Sequence, residues 1–212
     1  MSSTPPRVPE IDVLILSGGQ SRRMGTDKAW VQWQGQPLIS RVAAHALSQR
    51  LVQPHRLWVS CSPDNIARAQ VDFEHVLLDS PRFMGNGPLA GIHAGLNASS
   101  CDWLWVLPCD AVGFADDLLS RMLSLALSDP DIQAVTLSTS TPQGSVKVHP
   151  VWALISRQAL PSLNRCLETH TLKVMSFFES IHTRVMPLAP QEILWNINRP
   201  EDLPSCSDGS HR

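Results

Sequence analysis

A glycine-rich, basic loop near the start of the chain has residue types that bind phosphate. It follows the apolar run from Ile11 to Leu16 and contains Ser17, Gly18, Gly19, Arg22, Arg23, Gly25 and Lys28. Glycines let the backbone turn sharply and expose N–H groups to an anion, and the basic side chains add positive charge. The spacing matches neither the Walker loop nor G-x-G-x-x-G. An ordinary strand-to-helix turn with solvated arginines is the alternative, but basic residues at these offsets after a strand favour a phosphate site.

Two aspartates directly follow apolar runs and are candidates for binding a nucleotide and its metal ion. Asp110 comes after Trp103–Leu107 and suits Mg²⁺ beside phosphates. Its alternative role is to cap the helix that we expect next. Asp79 comes after Val76–Leu78, where a carboxylate could accept both the N1–H and the amino group of guanine. A turn before Ser80 and Pro81 explains Asp79 equally well.

Three further features are weaker candidates. Gly87 and Pro88 stand between a glycine-rich stretch and a helix, which indicates either a loop over the substrate or a tight connection. Asn196 and Asn198 alternate around Ile197, so their amides face one side of an extended segment. They suit a polar ligand or a second magnesium contact, unless they form a turn before Pro200. His149 and Cys109 are interpreted as structural residues, because neither has partners at catalytic or metal-ligand spacing.

Short apolar runs alternate with amphipathic stretches, which predicts an α/β fold. We expect strands at 11–16, 57–59, 76–78, 103–107, 134–138 and 151–155, and helices at 37–49, 88–97, 115–126, 158–167 and 173–181. This alternation is typical of a mostly parallel sheet with helices on both faces. Ligands bind beyond the carboxyl ends of such strands, and the glycine loop, Asp79 and Asp110 all lie there in the sequence.

Composition limits the class of protein. Hydrophobic residues make up 43% of the 212 residues, and the net charge of −2 gives no overall attraction to nucleic acid or to a membrane surface. No apolar run reaches the ~20 residues of a membrane span, and five cysteines without a C-x-x-C pair indicate reduced thiols. We therefore expect a cytoplasmic protein with one domain at 11–203, a flexible extension at 1–10 and a flexible tail at 204–212.

Taken together, these stretches resemble the molybdenum cofactor guanylyltransferases, the MobA family, from about Val13 to Leu203. The most specific part is Leu16-Ser17-Gly18-Gly19 with Arg23-Met24-Gly25 and Lys28, similar to a signature of nucleotidyltransferases that act on sugars and related molecules. Further stretches recur in the family's order, namely Leu78-Asp79-Ser80, Gly87-Pro88-Leu89-Ala90-Gly91, Pro108-Cys109-Asp110, His149-Pro150 and Asn196-Ile197-Asn198.

The resemblance implies a Rossmann-like nucleotidyltransferase fold that binds GTP and Mg²⁺ with its N-terminal half and molybdopterin with its C-terminal half. It assigns the nucleotide to Leu16, Ser17, Gly18, Gly19, Gly25, Lys28, Asp79 and Asp110, and the metal to Asp110. Gly87, Pro88, Lys173, Asn196 and Asn198 are expected on the acceptor side, and proteins that mature molybdoenzymes are expected partners. Two positions depart from the family pattern: Val112 stands where a proline is usual, and Leu172-Lys173 replaces a basic pair.

The implied reaction transfers GMP from GTP to the terminal phosphate of molybdopterin and releases pyrophosphate. Arg23, Lys28 and Asp110 are the expected catalytic residues, and no general base is needed because a phosphate nucleophile is already ionised. A molybdopterin cytidylyltransferase is the first alternative. The second is a GTP-binding protein that chaperones the cofactor without catalysis.

Overall fold

In the computed structural model of this protein, the described residues are 9–18, 27–141, 144–192 and 194–197. Several predicted site residues lie outside this part of the chain, namely Gly19, Arg22, Arg23, Gly25 and Asn198. The strands are β1 (Ile11–Ser17), β2 (Gln32–Trp33), β3 (Gln36–Pro37), β4 (Leu57–Cys61), β5 (Val76–Leu77), β6 (Trp103–Pro108), β7 (Ala111–Gly113), β8 (Ala134–Ser140), β9 (Val146–Ser156), β10 (Thr183–Pro187) and β11 (Trp195–Asn196). The α-helices are α1 (Leu38–Leu47), α2 (Ile66–Asp72), α3 (Pro88–Ala98), α4 (Leu118–Ala126), α5 (Leu160–Glu168) and α6 (Val174–Glu179).

A seven-stranded sheet forms the centre of the fold, in the order β10-β8-β9-β6-β1-β4-β5. Neighbouring strands are parallel except β9, which runs antiparallel to both β6 and β8. The predicted α/β fold with a mostly parallel sheet is therefore confirmed. Because β9 is reversed, its N-terminal half lies at the same rim as the carboxyl ends of the parallel strands. We call this edge the catalytic rim, and the opposite edge, where the parallel strands begin, the basal rim.

The sheet is buried on both faces, which explains why β1 is apolar at every position except Asp12 and Ser17. Val13 and Ile15 pack toward α1 and α4, whereas Leu14 and Leu16 pack toward α3 and α5. All seven residues of β1 are buried. Alternate side chains of a strand point to opposite faces, so a strand covered on both sides needs apolar residues at nearly every position.

Helix α3 lies unusually close to the sheet because two glycines face it. A Cβ atom at Gly91 would stand 2.7 Å from Ser60 Oγ and 2.8 Å from Leu16 Cδ2, and one at Gly95 would stand 2.7 Å from Leu14 Cδ2. All three distances are shorter than a Cβ contact allows, so a larger residue at either position would force the facing Ser60, Leu16 or Leu14 side chain to move. This packing fixes the start of α3 beside the ends of β1 and β4.

Several elements differ from the sequence prediction. Helix α4 begins at Leu118 rather than near 115, and β9 runs from Val146 rather than from 151. The prediction has no counterpart for six short elements, namely α2, β2, β3, β7, β10 and β11. Each is short or mostly exposed and lacks a long apolar period. None of the described helices has the length and apolar character needed to cross a membrane.

Candidate active site

The structure brings together two predicted catalytic residues that lie far apart in the sequence. Lys28 Nζ donates to Asp110 Oδ2, across 82 residues of chain. The two side chains are only 14% and 9% exposed, so the pair is largely shielded from water. A lysine–carboxylate pair in such a site interacts more strongly than one on the open surface. This ion pair lies at the catalytic rim, where β6 ends.

Local hydrogen bonds position both partners. Asp27 Oδ1 accepts from Ala29 N at 3.1 Å and so caps the 3₁₀ turn Lys28–Trp30, while Asp27 Oδ2 accepts from Asn65 Nδ2. On the other side, Cys109 N donates to Leu16 O at 3.1 Å, which ties the residue before Asp110 to the end of β1. Lys28 and Asp110 are therefore held by backbone geometry as well as by their mutual attraction.

The interpretation of Asp110 as a helix cap is wrong. Strand β7 follows it, and α4 begins only at Leu118, with Asp117 at the N-cap position. Val112 N donates to Asp110 O at 2.9 Å, a bond that a proline at position 112 could not make. The departure from the family pattern at this position thus supplies a hydrogen bond that tightens the loop carrying Asp110.

Seven buried side-chain polar atoms have no hydrogen-bond partner in the described part of the chain, and Ser17 Oγ and Asn196 Oδ1 are the two oxygens among them. Asn196 pairs with Ala111 between β11 and β7, and Ile197 N donates to Asp110 O at 3.3 Å. Asn196 is thus next to the loop of Asp110, and its acceptor-side role stays a prediction. Buried polar atoms are nearly always satisfied, and an exception indicates a bound ligand, ion or water.

Asp79 lies beyond β5 at the same rim and in a half-buried position. Burial raises the pKa of its carboxyl above the ordinary value, while the Gly85 N–H and His93 act in the opposite direction. Asp79 thus holds the loop at Gly85 through a hydrogen bond, and its contact with guanine stays a prediction. A carboxylate that burial has partly desolvated gains more from donors on a ligand than a fully hydrated one.

The glycine-rich connection to α3 adopts conformations that exclude other residues. Gly85 has a φ of +81° and Gly87 a φ of +69°, and no described atom lies within 4 Å of a Cβ built on either. Positive φ at consecutive turns favours glycine strongly. Pro88 occupies the first turn of α3, as predicted. The backbone at Gly87 is exposed and stands beside the ends of β1 and β4, where a ligand can approach it.

The remaining predicted residues are less central. Lys173 is exposed at the N-cap of α6 and has no ion pair with the described residues. Leu16 is buried at the end of β1 and Gly18 is exposed directly after it. Cys109 is partly buried rather than fully buried, and desolvation raises the pKa of its thiol far above the ordinary value, so it is a poor nucleophile.

Sequence reasoning set His149 aside, but the structure places it at the catalytic rim. The register between β8 and β9 jumps from Thr136↔Ala153 to Leu137↔His149, so three residues of β9 bulge out at this point. Thr139 Oγ1 lies 2.8 Å from His149 Nε2, and burial lowers the pKa of the imidazole, with a smaller contribution from Lys147. The only signal in the sequence was the His-Pro pair before an apolar run.

The sequence from residue 13 to residue 185 matches the family described as the MobA-like NTP transferase domain. A molybdenum cofactor guanylyltransferase from Vibrio atlanticus is 34% identical over 194 residues, which cover 90% of this chain and 92% of the relative. One from Aliivibrio salmonicida is 30% identical over 195 residues, with coverage of 90% and 92%.

Solved structures show the same fold at lower identity. Molybdopterin-guanine dinucleotide biosynthesis protein A from Archaeoglobus fulgidus has a TM-score of 0.68 and 21% identity, covering 91% of this chain and 94% of that one. The 2-C-methyl-D-erythritol 4-phosphate cytidylyltransferase of Francisella tularensis has a TM-score of 0.70 and 13% identity, covering 92% and 96%. The solved structures show the fold, and the match over residues 13–185 with the two relatives of 34% and 30% identity shows that the chain is a nucleotidyltransferase and belongs to the MobA-like NTP transferase family.

Proposed function

We propose that this protein transfers the GMP moiety of GTP to the terminal phosphate of molybdopterin, forming molybdopterin guanine dinucleotide and releasing pyrophosphate. The observation that carries the proposal is the shielded Lys28–Asp110 pair beside the end of β1. The names of the relatives from Vibrio atlanticus and Aliivibrio salmonicida supply the choice of substrates.

The chemistry is an in-line displacement at phosphorus. An oxygen of the molybdopterin phosphate attacks the α-phosphorus of GTP, a new P–O–P link forms, and the bond to the β-phosphate oxygen breaks. Both reactants are anions, so alignment and neutralisation of charge dominate the barrier. Lys28 and the loop after β1, with Arg23, would neutralise the charge that develops on the leaving pyrophosphate.

A divalent metal ion, Mg²⁺ in our proposal, fits the residues present. Asp110 Oδ2 accepts from Lys28, while its Oδ1 makes no hydrogen bond to other described residues. The unsatisfied Asn196 Oδ1 is a further oxygen at the same rim, and oxygen donors are the ligands that Mg²⁺ prefers. When bound, the ion would supply positive charge between the phosphates. Lys28 would then hold one oxygen of Asp110 so that the other faces the metal.

Guanine recognition is assigned to Asp79. Its carboxylate would accept the N1–H and the amino group of guanine as a bidentate pair, which neither adenine nor cytosine can match. The Gly85 N–H holds the carboxylate in place, and its half-buried position limits competition from water. The glycine-rich connection from Gly85 to Pro88 would cover the nucleotide, and Lys173, Asn196 and Asn198 would contact the acceptor.

Incubation of the protein with molybdopterin, Mg²⁺ and either GTP or CTP tests the proposal, with mass analysis of the product and an assay for pyrophosphate. We expect the guanine dinucleotide and one pyrophosphate per product with GTP, and little product with CTP. Faster transfer with CTP would favour the cytidylyltransferase. Tight GTP binding without any pyrophosphate release would favour the non-catalytic chaperone, and either outcome would overturn the proposal.

A further inference from the structure

A second cluster of chemically reactive side chains lies at the basal rim, away from the candidate active site. Asp12, His55 and Cys101 each place one ligand atom within 4.8 Å of the other two. Asp12 is the second residue of β1, and the other two come just before β4 and β6, the neighbours of β1 on either side. Their spacing in the sequence forms no metal-binding motif, so only the sheet brings them together.

Asp12 is a buried carboxylate without a permanent cation beside it. It is 1% exposed, and within the described residues its only ion-pair partner is His55, whose Nδ1 lies 3.7 Å from Asp12 Oδ1. A buried negative charge is costly unless a cation compensates it. Either a protonated His55 or a bound metal ion would provide that compensation.

Neutral donors fix the orientation of this carboxylate. Trp58 Nε1 donates to Asp12 Oδ2 at 2.9 Å, Ser99 Oγ donates to the same oxygen at 2.7 Å, and Arg56 N donates to Oδ1 at 3.0 Å. A carboxylate offers about four lone pairs, and these donors use three of them. The Cys101 thiol also hydrogen-bonds to Asp12, and an ion that displaces the thiol proton would take the place of that bond. Donors of this kind around a ligand carboxylate are typical of metal sites, where they orient the metal-binding oxygen.

The ligand set and its dimensions suit a divalent transition-metal ion. Imidazole, thiolate and carboxylate are the usual ligands of Zn²⁺, and with bonds of ~2.0–2.3 Å the ligand atoms of a tetrahedral site stand about 3.3–3.6 Å apart. The Nδ1–Oδ1 separation of 3.7 Å is already close to that value. The side chain of His55 is 53% exposed, which gives an ion a route from solvent to the buried pair.

We propose that Asp12, His55 and Cys101 form a binding site for Zn²⁺ or a similar transition-metal ion, separate from the magnesium site. The ion would displace the proton of the Cys101 thiol, which leaves to the solvent, and a water would complete the coordination. The two negative ligands would balance the charge of the ion. The site would bind the starts of β4, β1 and β6 together and so stabilise the centre of the sheet.

The test uses Co²⁺ as a spectroscopic probe of the chelator-treated full-length protein. We expect one equivalent of Co²⁺ to produce a thiolate-to-metal charge-transfer band in the near ultraviolet and intense visible bands from a tetrahedral site, and Zn²⁺ to abolish both. The His55→Gln and Cys101→Ser variants should lose the bands. Ser99→Ala should keep them with an affinity about ten- to a hundred-fold lower.

Matched controls separate this site from other thiols, imidazoles and carboxylates. Cys166→Ser removes another buried thiol, His75→Gln removes an imidazole that stacks on Trp58 at 4.8 Å, and Asp110→Asn removes the candidate magnesium ligand. All three should retain the Co²⁺ spectrum. Zn²⁺ should also raise the unfolding temperature of the wild-type protein and of these controls, but not that of His55→Gln.

Two results would overturn the proposal. One is a wild-type spectrum without the thiolate band, in which case a protonated His55 compensates Asp12. The other is a thiolate band that persists in folded Cys101→Ser or His55→Gln protein, because the ion would then be bound elsewhere.

Discussion

The two ends of β1 differ in how their polar groups are satisfied. At the basal end, Asp12 accepts hydrogen bonds from Arg56 N, Trp58 Nε1 and Ser99 Oγ. At the catalytic end, about 16 Å away at the rise of a strand, Ser17 Oγ is buried without a described partner. The carboxylate at the basal end thus has three hydrogen bonds within the fold, whereas the catalytic end keeps a buried hydroxyl without a partner among the described residues. We expect replacements at the basal end to change stability and replacements at the catalytic end to change the reaction.

The largest effect is expected from Asp110. We expect Asp110→Asn and Asp110→Ala to reduce the turnover of GTP by about a thousand-fold or more, because the candidate metal carboxylate is lost. The rate of pyrophosphate release measures activity, and a thermal unfolding curve measures stability. Asp117→Asn, at a half-exposed carboxylate on α4, is the control and should keep normal turnover. Near-normal turnover by folded Asp110→Ala protein would remove Asp110 from the reaction.

Replacing Lys28 should have a smaller but still large effect. We expect Lys28→Met to slow transfer by roughly a hundred-fold and to lower the unfolding temperature, because it leaves the carboxylate of Asp110 shielded and unpaired. If the two residues act as a unit, Lys28→Met combined with Asp110→Asn should be scarcely slower than Asp110→Asn alone. Lys147→Met, at an exposed lysine on β9, is the control. If the rate reduction of the double variant equals the product of the two single reductions, Lys28 and Asp110 serve separate steps.

The basal end should respond in stability rather than in activity. Trp58→Phe removes one donor to the buried carboxylate of Asp12, and we expect the free energy of unfolding to fall by about 2 kcal/mol. Urea unfolding measures the loss, and turnover at low temperature should stay within about two-fold of the wild-type value. Trp195→Phe, at an exposed tryptophan near the catalytic rim, should change stability by less than ~0.5 kcal/mol. Equal losses from both variants would contradict the contrast between the two rims.

The smallest effect concerns Asp79 and pH. Its raised pKa means that the protonated form appears at a higher pH than for an exposed aspartate, and the protonated carboxyl cannot accept both donors of guanine. The KM for GTP should therefore rise by a few-fold as the pH falls toward that pKa, while turnover at saturation changes less. The contribution of Asp79 to stability changes in the opposite direction: it improves as the pH falls, because the folded state favours the protonated carboxyl. Asp79→Asn should therefore be at least as stable as wild type at neutral pH.

The Asp79→Asn variant supplies the control for this pH dependence. It should have a raised KM for GTP that no longer varies with pH in the acidic range. A wild-type KM that is also constant there would show that Asp79 does not contact the base.

The sequence predicted the elements whose apolar pattern is strong and local. The buried strands β1 and β6 are nearly continuous apolar runs, and their carboxyl ends correctly indicated where Asp110 lies. The N-terminal half of β9 was missed because Lys147 and His149 interrupt its pattern. The start of α4 was misplaced because its first turn is capped from a distance: the buried Gln49 side chain accepts from Leu119 N at 3.1 Å. No local pattern contains that contact.

The positions of some site residues could be predicted from the sequence, but the contacts between them could not. Residues that follow strongly patterned strands were assigned correctly to the catalytic rim, since the direction of parallel strands alone places them there. The pairing of Lys28 with Asp110 and the cluster of Asp12, His55 and Cys101 depend on which strands are neighbours. Strand order is a property of the whole sheet, and spacing within one chain does not encode it.

The reversal of β9 has a consequence for where the chain can vary in length. The described residues on either side of positions 142–143 join β8 to β9 as a hairpin at the catalytic rim: Thr141 N donates to Ser145 O at 2.8 Å, and Gly144 has a φ of +82°. A hairpin tip tolerates insertions and deletions without repacking the core, whereas a crossover between parallel strands carries a whole helix with it. The connection between β8 and β9 is therefore a place at the catalytic rim where the length of the chain can vary while the rest of the sheet stays unchanged.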